Sequence, residues 1–288
     1  MRYQFIRDHH LEHRLTHLCR AVGVSRSGYY AWQRRPESVR SQTDRQLLAR
    51  IWAVHAHSRH RYGAVKTWRT LRAAGVICGR HRVARLRRLD GIEAQRTRRF
   101  RVMTEHHQLA PPAPNRLIPG WRPTRLDEVW VGDLTGVPTR AGWLYVAVIL
   151  DLCSRRVIGW AMSSKPDQHV VAAALRMAVS QRRPPRGLLH HTDQGAQYTS
   201  LSYRALVETH GLLASMSRRG NCYDNAVVES FFSSLKNELV HDQDYRSRDE
   251  ARVEVFEYIE IFYNRQRIHQ NLNYVSPVQF EADNLSPF

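Results

Sequence analysis

HTDQGAQYTS, residues 191–200, and NCYDNAVVESFFSSLKNE, residues 221–238, supply Asp193 and Glu229, two acids with 35 residues between them. A third acid, Asp133, lies in the apolar run EVWVGDLTGV (128–137), 60 positions before Asp193. One Asp beside a strand is usually a turn former or a solvated edge residue. Three acids placed on a strand, just past a strand and on a helix form a pattern. From Val228, the residues Phe231, Leu235 and Leu239 follow at helical spacing and define one apolar stripe. Glu229 and Lys236 share a face beside that stripe, which reads either as a solvated flank or as a carboxylate and a cation at the edge of a core. Clustered carboxylates repel one another unless one is protonated or a cation sits among them. An oxygen-only set of this kind suits magnesium or manganese.

Around these acids the chain alternates as a mixed sheet does. Glu128–Val137, Leu144–Asp151 and Arg156–Met162 are rich in Val, Ile and Trp, are joined by short turns, and predict a three-strand meander. A crossover helix over Gln168–Gln181, a strand near Leu188–His191, a helix over Leu201–His210 and a short strand over Leu212–Met216 follow. Asp133 then sits within the first strand, Asp193 just past the fourth, and Glu229 on the helix after the fifth. The tail, Glu250–Phe280, predicts a long helix and holds YNRQRIHQNL (263–272), whose Asn, Arg and His residues either pack or touch a partner.

Asp133, Asp193 and Glu229, with the 35-residue interval and Lys236 seven residues past the glutamate, resemble the signature of the integrase-core transposases. These are relatives of the retroviral integrases, with a ribonuclease-H-like α/β fold. WLYVAVILDLCSRRVIGW (143–160), HTDQGAQYTS, SRRGNCYDNAVVESFFSSLKNE (217–238) and YIEIFYNRQRIHQNLNYVSPVQF (258–280) narrow the resemblance to bacterial insertion sequence family three. There the catalytic part comes from a second reading frame. One departure is Gly136, where a bulky residue often follows the Asp-x-Thr; it concerns the local wall of the site. The resemblance implies that the three acids are catalytic and hold two divalent ions, Mg2+ or Mn2+, while Lys236 holds DNA near the cut. It also implies an upstream frame that supplies a helix-turn-helix and a zipper and is joined by a frameshift. No heptad pattern is sustained in this chain to pair two protomers, so a homo-oligomer on DNA is expected through that fusion.

Composition sets the bounds. At 288 residues and 42% apolar, the chain is long enough for one good core plus one or two small helical units. Cysteines at 19, 78, 153 and 222 form no Cys-x-x-Cys pair, so neither a zinc site nor a disulfide frame is expected, and the bacterial cytosol, in association with the nucleoid, is the expected setting. The His pairs at 9 and 10, 106 and 107, and 190 and 191 lack the two nearby cysteines that an integrase-type zinc unit needs. MRYQFIRDHH is no signal peptide, and the longest apolar run, Trp143–Leu150, is too short for a bilayer, so no membrane partner is expected. Charge is uneven: residues 1–125 hold 27 Lys or Arg against 7 Asp or Glu, and residues 126–288 hold 17 against 19. A basic half joined to a near-neutral half reads as a grip on a polyanion attached to something that does another job.

Four segments result: an N-terminal helical unit (1–38), a helix-turn-helix-like DNA-binding unit (40–95), a basic, Pro-rich linker (96–124) expected to lie on DNA, and the catalytic core with its tail (125–288). In the first, a helix over His9–Ala21 carries Leu11, Leu15, Leu18 and Val22; Gly23 breaks it, and Ser25 caps a second helix. This reads equally as a helix-turn-helix or as two helices of a small bundle. In the second, helices are expected over Asp44–Ala56, Ala64–Ala74 and from Gly79 to Asp90. The last points Val83, Leu86 and Leu89 inward and leaves Arg80, Arg82, Arg85, Arg87 and Arg88 outside, without acids at i+4, as a groove-lining helix would. The expected function is a DNA transposase that cuts and joins strands at insertion-sequence ends, with terminal inverted repeats and target DNA as partners. The alternatives are a nuclease of the same fold without strand transfer, and a non-catalytic helix-turn-helix regulator.

Overall fold

Strand β1 (Val129–Val137) forms the middle of a five-stranded sheet, and its near-continuous burial explains why it reads as an apolar run. The computed structural model describes residues 1–35, 37–94, 111–117, 123–217 and 226–285. On one side β1 pairs antiparallel with β2 (Leu144–Asp151), which pairs antiparallel with β3 (Val157–Ser163). On the other side it pairs in parallel with β4 (Leu189–Thr192), which pairs in parallel with β5 (Leu213–Met216). The order β3-β2-β1-β4-β5 is the ribonuclease-H-like layer expected.

Alternate residues of β1 serve two cores. Trp130 faces α7 (Gln168–Arg182) and α9 (Leu201–Thr209), packing with Leu175, Ala178, Tyr203 and Val207. Val129, Val131 and Val137 face α10 (Ala226–Glu238) and α11 (Arg248–Glu257), with Val228, Phe231, Leu235 and Val255. The Asp167 side chain caps α7 by accepting from the His169 and Val170 amides. Helix α7 lies so close on β3 that a Cβ at Gly159 would stand 2.7 Å from the Ala178 amide nitrogen and still nearer the Ala174 carbonyl. A four-residue helix, α8 (Ala196–Thr199), which the pattern did not predict, follows β4.

The basic half is helical and differs from expectation in three places. The helix expected over His9–Ala21 is two: α1 (Arg2–His9) and α2 (Leu15–Ala21), with Leu11 exposed between them. Tyr3 and Ile6, ahead of the expected start, supply the stripe that packs with Leu18 and with Tyr29 of α3 (Arg26–Arg34). Helix α4 (Val39–His57) starts earlier than expected, because Ser38 caps it. With α5 (Ala64–Ala73) and α6 (Arg80–Leu89) it encloses Leu47, Ile51, Leu71, Val83 and Leu86. On α6 Arg87 is buried and Leu89 is 72% exposed, the reverse of the expected placing. At 100° per residue Arg87 falls about 40° from Val83, inside the stripe, and Leu89 about 120° away, outside it.

The tail is likewise not one long helix. Helix α11 runs into a π-helix (Tyr258–Gln266), a bridge pairs His269 with Val275, and α12 (Pro277–Leu285) begins at a proline that suits a first helical turn and no interior. Of the expected linker, residues 96–110 and 118–122 lie outside the described residues. Residues 111–117 rest on the core: the Arg116 amide donates to Ser215 Oγ at 2.9 Å, and Arg204 donates to the Pro111 carbonyl.

Candidate active site

The 60-residue separation of Asp133 and Asp193 is the register of the sheet. β1 and β4 pair Val129 with Leu189, Trp130 with His190 and Val131 with His191. The pairing ends at Val131 and His191, so Asp133, two residues further along β1, and Asp193, just past β4, leave the same end of the two strands, and the Asp193 charge reaches the Asp133 carboxyl. Asp133 Oδ1 accepts from the Leu134 amide at 2.7 Å, and Asp193 Oδ1 accepts from the Gly195 amide at 2.9 Å as the chain turns into α8. Glu229 lies in the first turn of α10, exposed at the edge, while its neighbours Val228 and Phe231 are fixed in the core.

Electrostatics joins the four groups. Desolvation in its recess, then the charge of Asp193, then that of Glu229 push the Asp133 carboxyl up to about 8, against the pull of the Leu134 amide and Lys236. Burial raises Glu229 too. Burial lowers half-buried Lys236, and the Asp133 charge opposes that lowering. Tyr198, the buried aromatic of HTDQGAQYTS, is raised well above the ordinary phenol range by burial, then by Asp133, and more weakly by Asp193. Sequence reasoning passed over Tyr198, although an aromatic five residues past Asp193 was visible.

The three acids suit a hard divalent cation by donor type, and a carboxyl raised by its like-charged neighbours is one that a cation would relieve. Among the described residues, however, no three of His, Cys, Asp and Glu are drawn close enough to chelate an ion as they stand. Gly136 has a physical counterpart: a Cβ there would meet the Trp143 ring at 2.9 Å, so the indole fills the wall where a bulky side chain is absent. SRRGNCYDN, apart from Ser217, lies outside the described residues.

The expected DNA face of α6 is only partly outward. Arg80 and Arg88 are exposed. Arg82 Nε and Arg85 Nη2 reach the two oxygens of Asp44 on α4 at 2.6 and 2.5 Å, and these arginines hold that carboxyl below its usual range. Arg87 Nη1 donates to Thr67 Oγ1 at 3.2 Å inside the unit. The acid absent at i+4 is therefore supplied from 38 and 41 residues away.

Residues 123–222 and 229–285 each match a family described as Integrase core domain, and residues 42–100 match one described as HTH-like domain. The chain is 41% identical over 288 residues, 99% of its length and 100% of the relative's, to the transposase InsF for insertion sequence IS3A of Escherichia coli (strain K12). The chain belongs to the integrase-core transposases. A second relative, the insertion element IS600 uncharacterized 31 kDa protein of Shigella sonnei, is 44% identical over 263 residues, 91% of this chain and 97% of that one. Solved structures resembling this transposase include the simian T-cell lymphotropic virus intasome in complex with PP2A regulatory subunit B56 gamma (TM-score 0.48, 14% identity, covering 83% of this chain and 77% of that one). Another is the HTLV-2 integrase catalytic core domain in complex with magnesium (TM-score 0.44, 18% identity, covering 55% and 99%). No helix among the described residues of the transposase is long and apolar enough to cross a membrane.

Proposed function

We propose that this transposase cuts one strand at each end of an insertion sequence and joins the freed 3′ hydroxyl to target DNA. Asp133, Asp193 and Glu229 act as catalytic ligands of divalent metal, two Mg2+ or Mn2+ ions. The observation that supports this most directly is that Asp133 and Asp193 leave the same end of two paired strands, with the charges of Asp193, Glu229 and Lys236 reaching the Asp133 carboxyl. The bound ions supply Lewis-acid activation of the attacking and leaving oxygens. The acids' part is to place charge beside the phosphodiester, and that of Lys236 is to hold the phosphate next to the cut. Water attacks phosphorus and the 3′ oxygen leaves with a proton; that hydroxyl then attacks a target phosphodiester in line and displaces the target's own 3′ oxygen. No bond to the protein forms.

Arg80 and Arg88, with Arg82 and Arg85 nearer the Asp44 edge, contact DNA, and Arg87 supports them from inside. The cytosolic setting, the homo-oligomer on paired ends and a frameshift fusion with an upstream product belong to the same proposal. A magnesium-dependent nick on a labelled terminal-repeat duplex tests catalysis, and strand joining tests transfer. Nicking without joining would make the protein a nuclease; binding with neither would make it a regulator.

A further inference from the structure

Helix α10 is held from behind by the tail, and the tail is held in turn by the helix-turn-helix-like unit. Arg267, whose side chain is 12% exposed, donates from Nε and Nη2 to both oxygens of Glu238 at 2.7–3.0 Å, and from Nη2 to Ser234 Oγ at 3.0 Å. Tyr258 donates to Glu238 Oε2 at 2.8 Å. Ser234 and Glu238 stand five and nine residues after Glu229 on the same helix, so these bonds set both the rotation of α10 and its slide along the sheet. The next residue after Arg267 reaches across: the Ile268 amide donates to the hydroxyl of buried Tyr62 at 2.9 Å.

Other contacts surround that bond. Arg61, whose side chain is 9% exposed, reaches Asp242 just beyond α10 at 2.5 Å. Arg59 lies over Phe262 at 5.4 Å, and Arg69 over Tyr274 at 4.9 Å. Lys66 lies over Tyr62 at 5.2 Å. Both sides of the junction carry two successive non-glycine residues in the left-handed region, Arg59 and His60 at φ 51° and 62°, and Asn273 and Tyr274 at φ 53° and 64°. Such residues persist where their surroundings over-determine them.

We propose that seating of the helix-turn-helix-like unit on the tail positions α10 for the reaction, which makes Tyr62 and Arg61 positioning residues of the catalytic helix. This rests on the reading of Glu229 given above. A unit lifted off the tail leaves the Ile268 amide and Asp242 without their partners and loosens the Arg267–Glu238 brace. DNA bound by the unit and Glu229 are thereby linked within one chain.

The test uses the full chain as Arg61→Glu, Asp242→Arg, the double swap, and Tyr62→Phe. Three quantities are measured: hydrogen exchange of peptides within 230–240, single-turnover nicking of a labelled terminal-repeat duplex, and affinity for that duplex. Arg61→Glu and Tyr62→Phe are expected to speed α10 exchange about tenfold and to slow nicking about tenfold, with affinity within about twofold. The swap is expected to restore both, and unchanged exchange in β1 and β2 shows that the core is folded. Wild-type α10 exchange in both variants, or a loss confined to affinity, would overturn the proposal. Exchange reads the coupling without catalysis. Normal nicking by Glu229→Gln would instead overturn the role given to Glu229, while the exchange result stood.

Discussion

The basic half and the sheet treat charge in opposite ways. Around α4–α6 the apolar cluster is small, centred on Leu47, Ile51, Leu71, Val83 and Leu86, and arginines complete the packing. Arg82 and Arg85 bracket Asp44, Arg87 is buried on Thr67, and Arg59, Arg61 and Arg69 face the tail. The sheet has a core on each face, and at its edge Asp133, Asp193 and Glu229 gather with Lys236, whose charge opposes the raising of the Asp133 carboxyl. A surplus of arginine along a sequence is therefore not the same quantity as positive charge on a surface.

The widest separation between the halves is expected from Asp133→Asn. Nicking should fall roughly a thousandfold or more while duplex affinity stays within about twofold. In metal-free buffer the melting temperature should rise by a few degrees, since desolvation and repulsion by Asp193 and Glu229 no longer act on a carboxylate. Calorimetry showing a lower melting temperature would contradict that account of the recess. Packing separates the halves next. Gly159→Ala sets a methyl against α7 backbone and should cost about 3 kcal/mol in urea unfolding. Gly79→Ala at the start of α6 meets nothing within 4 Å and should cost under about 0.5 kcal/mol.

Within α6 the effects should be smaller and should differ in kind. Arg80→Ala and Arg88→Ala are each expected to weaken duplex binding by about 1 kcal/mol and to lower the salt slope by about one. Arg87→Ala should leave the slope alone and lower stability by roughly 1–2 kcal/mol, because it empties a buried position and unpairs Thr67. Anisotropy titrations across salt would distinguish them; a reduced slope for Arg87→Ala would return that residue to the surface. The last effect is confined to acid and concerns His269, whose pKa burial, then the charges of Arg267, Lys66 and Arg155, push down to about 2. The fold holds it neutral, and the unfolded chain takes up a proton below about 6.5, so its contribution is present above that pH and lost as pH falls. Between pH 6.5 and 5.5 the loss is about 1 kcal/mol. His269→Gln should flatten that interval in thermal melts, and an unaltered acid slope would assign it elsewhere.

Strands were legible because a strand buried on both faces leaves an unbroken apolar run, as β2 does over Leu144–Asp151. The places of Asp133 within β1 and of Asp193 just past β4 were legible too, since both follow from where the apolar runs begin and end. The partners of α6 were not. Asp44 lies on another helix, and a rule that searches i+4 has no access to it. Nor were Leu89 and Arg87 told apart, because residue type outweighed angle in assigning the inner face. The break after His9 was hidden by Leu11, apolar yet exposed, and Tyr198 by the attention that its acidic neighbours draw.

The π-helix at Tyr258–Gln266 has a consequence for how this family can change length. Its closing bond runs from the Arg267 amide to the Phe262 carbonyl, five residues back, where an α-helix would reach four. A π-turn takes up one residue more than an α-turn, so losing a single residue from that stretch would let it close as an ordinary helix with Arg267 and Ile268 near their present places, opposite Glu238 and Tyr62. A second loss would turn everything beyond it by about 100° and carry both residues away from their partners. Relatives that keep both partners are thus expected to differ in residue count between Tyr258 and Arg267 by that one residue at most.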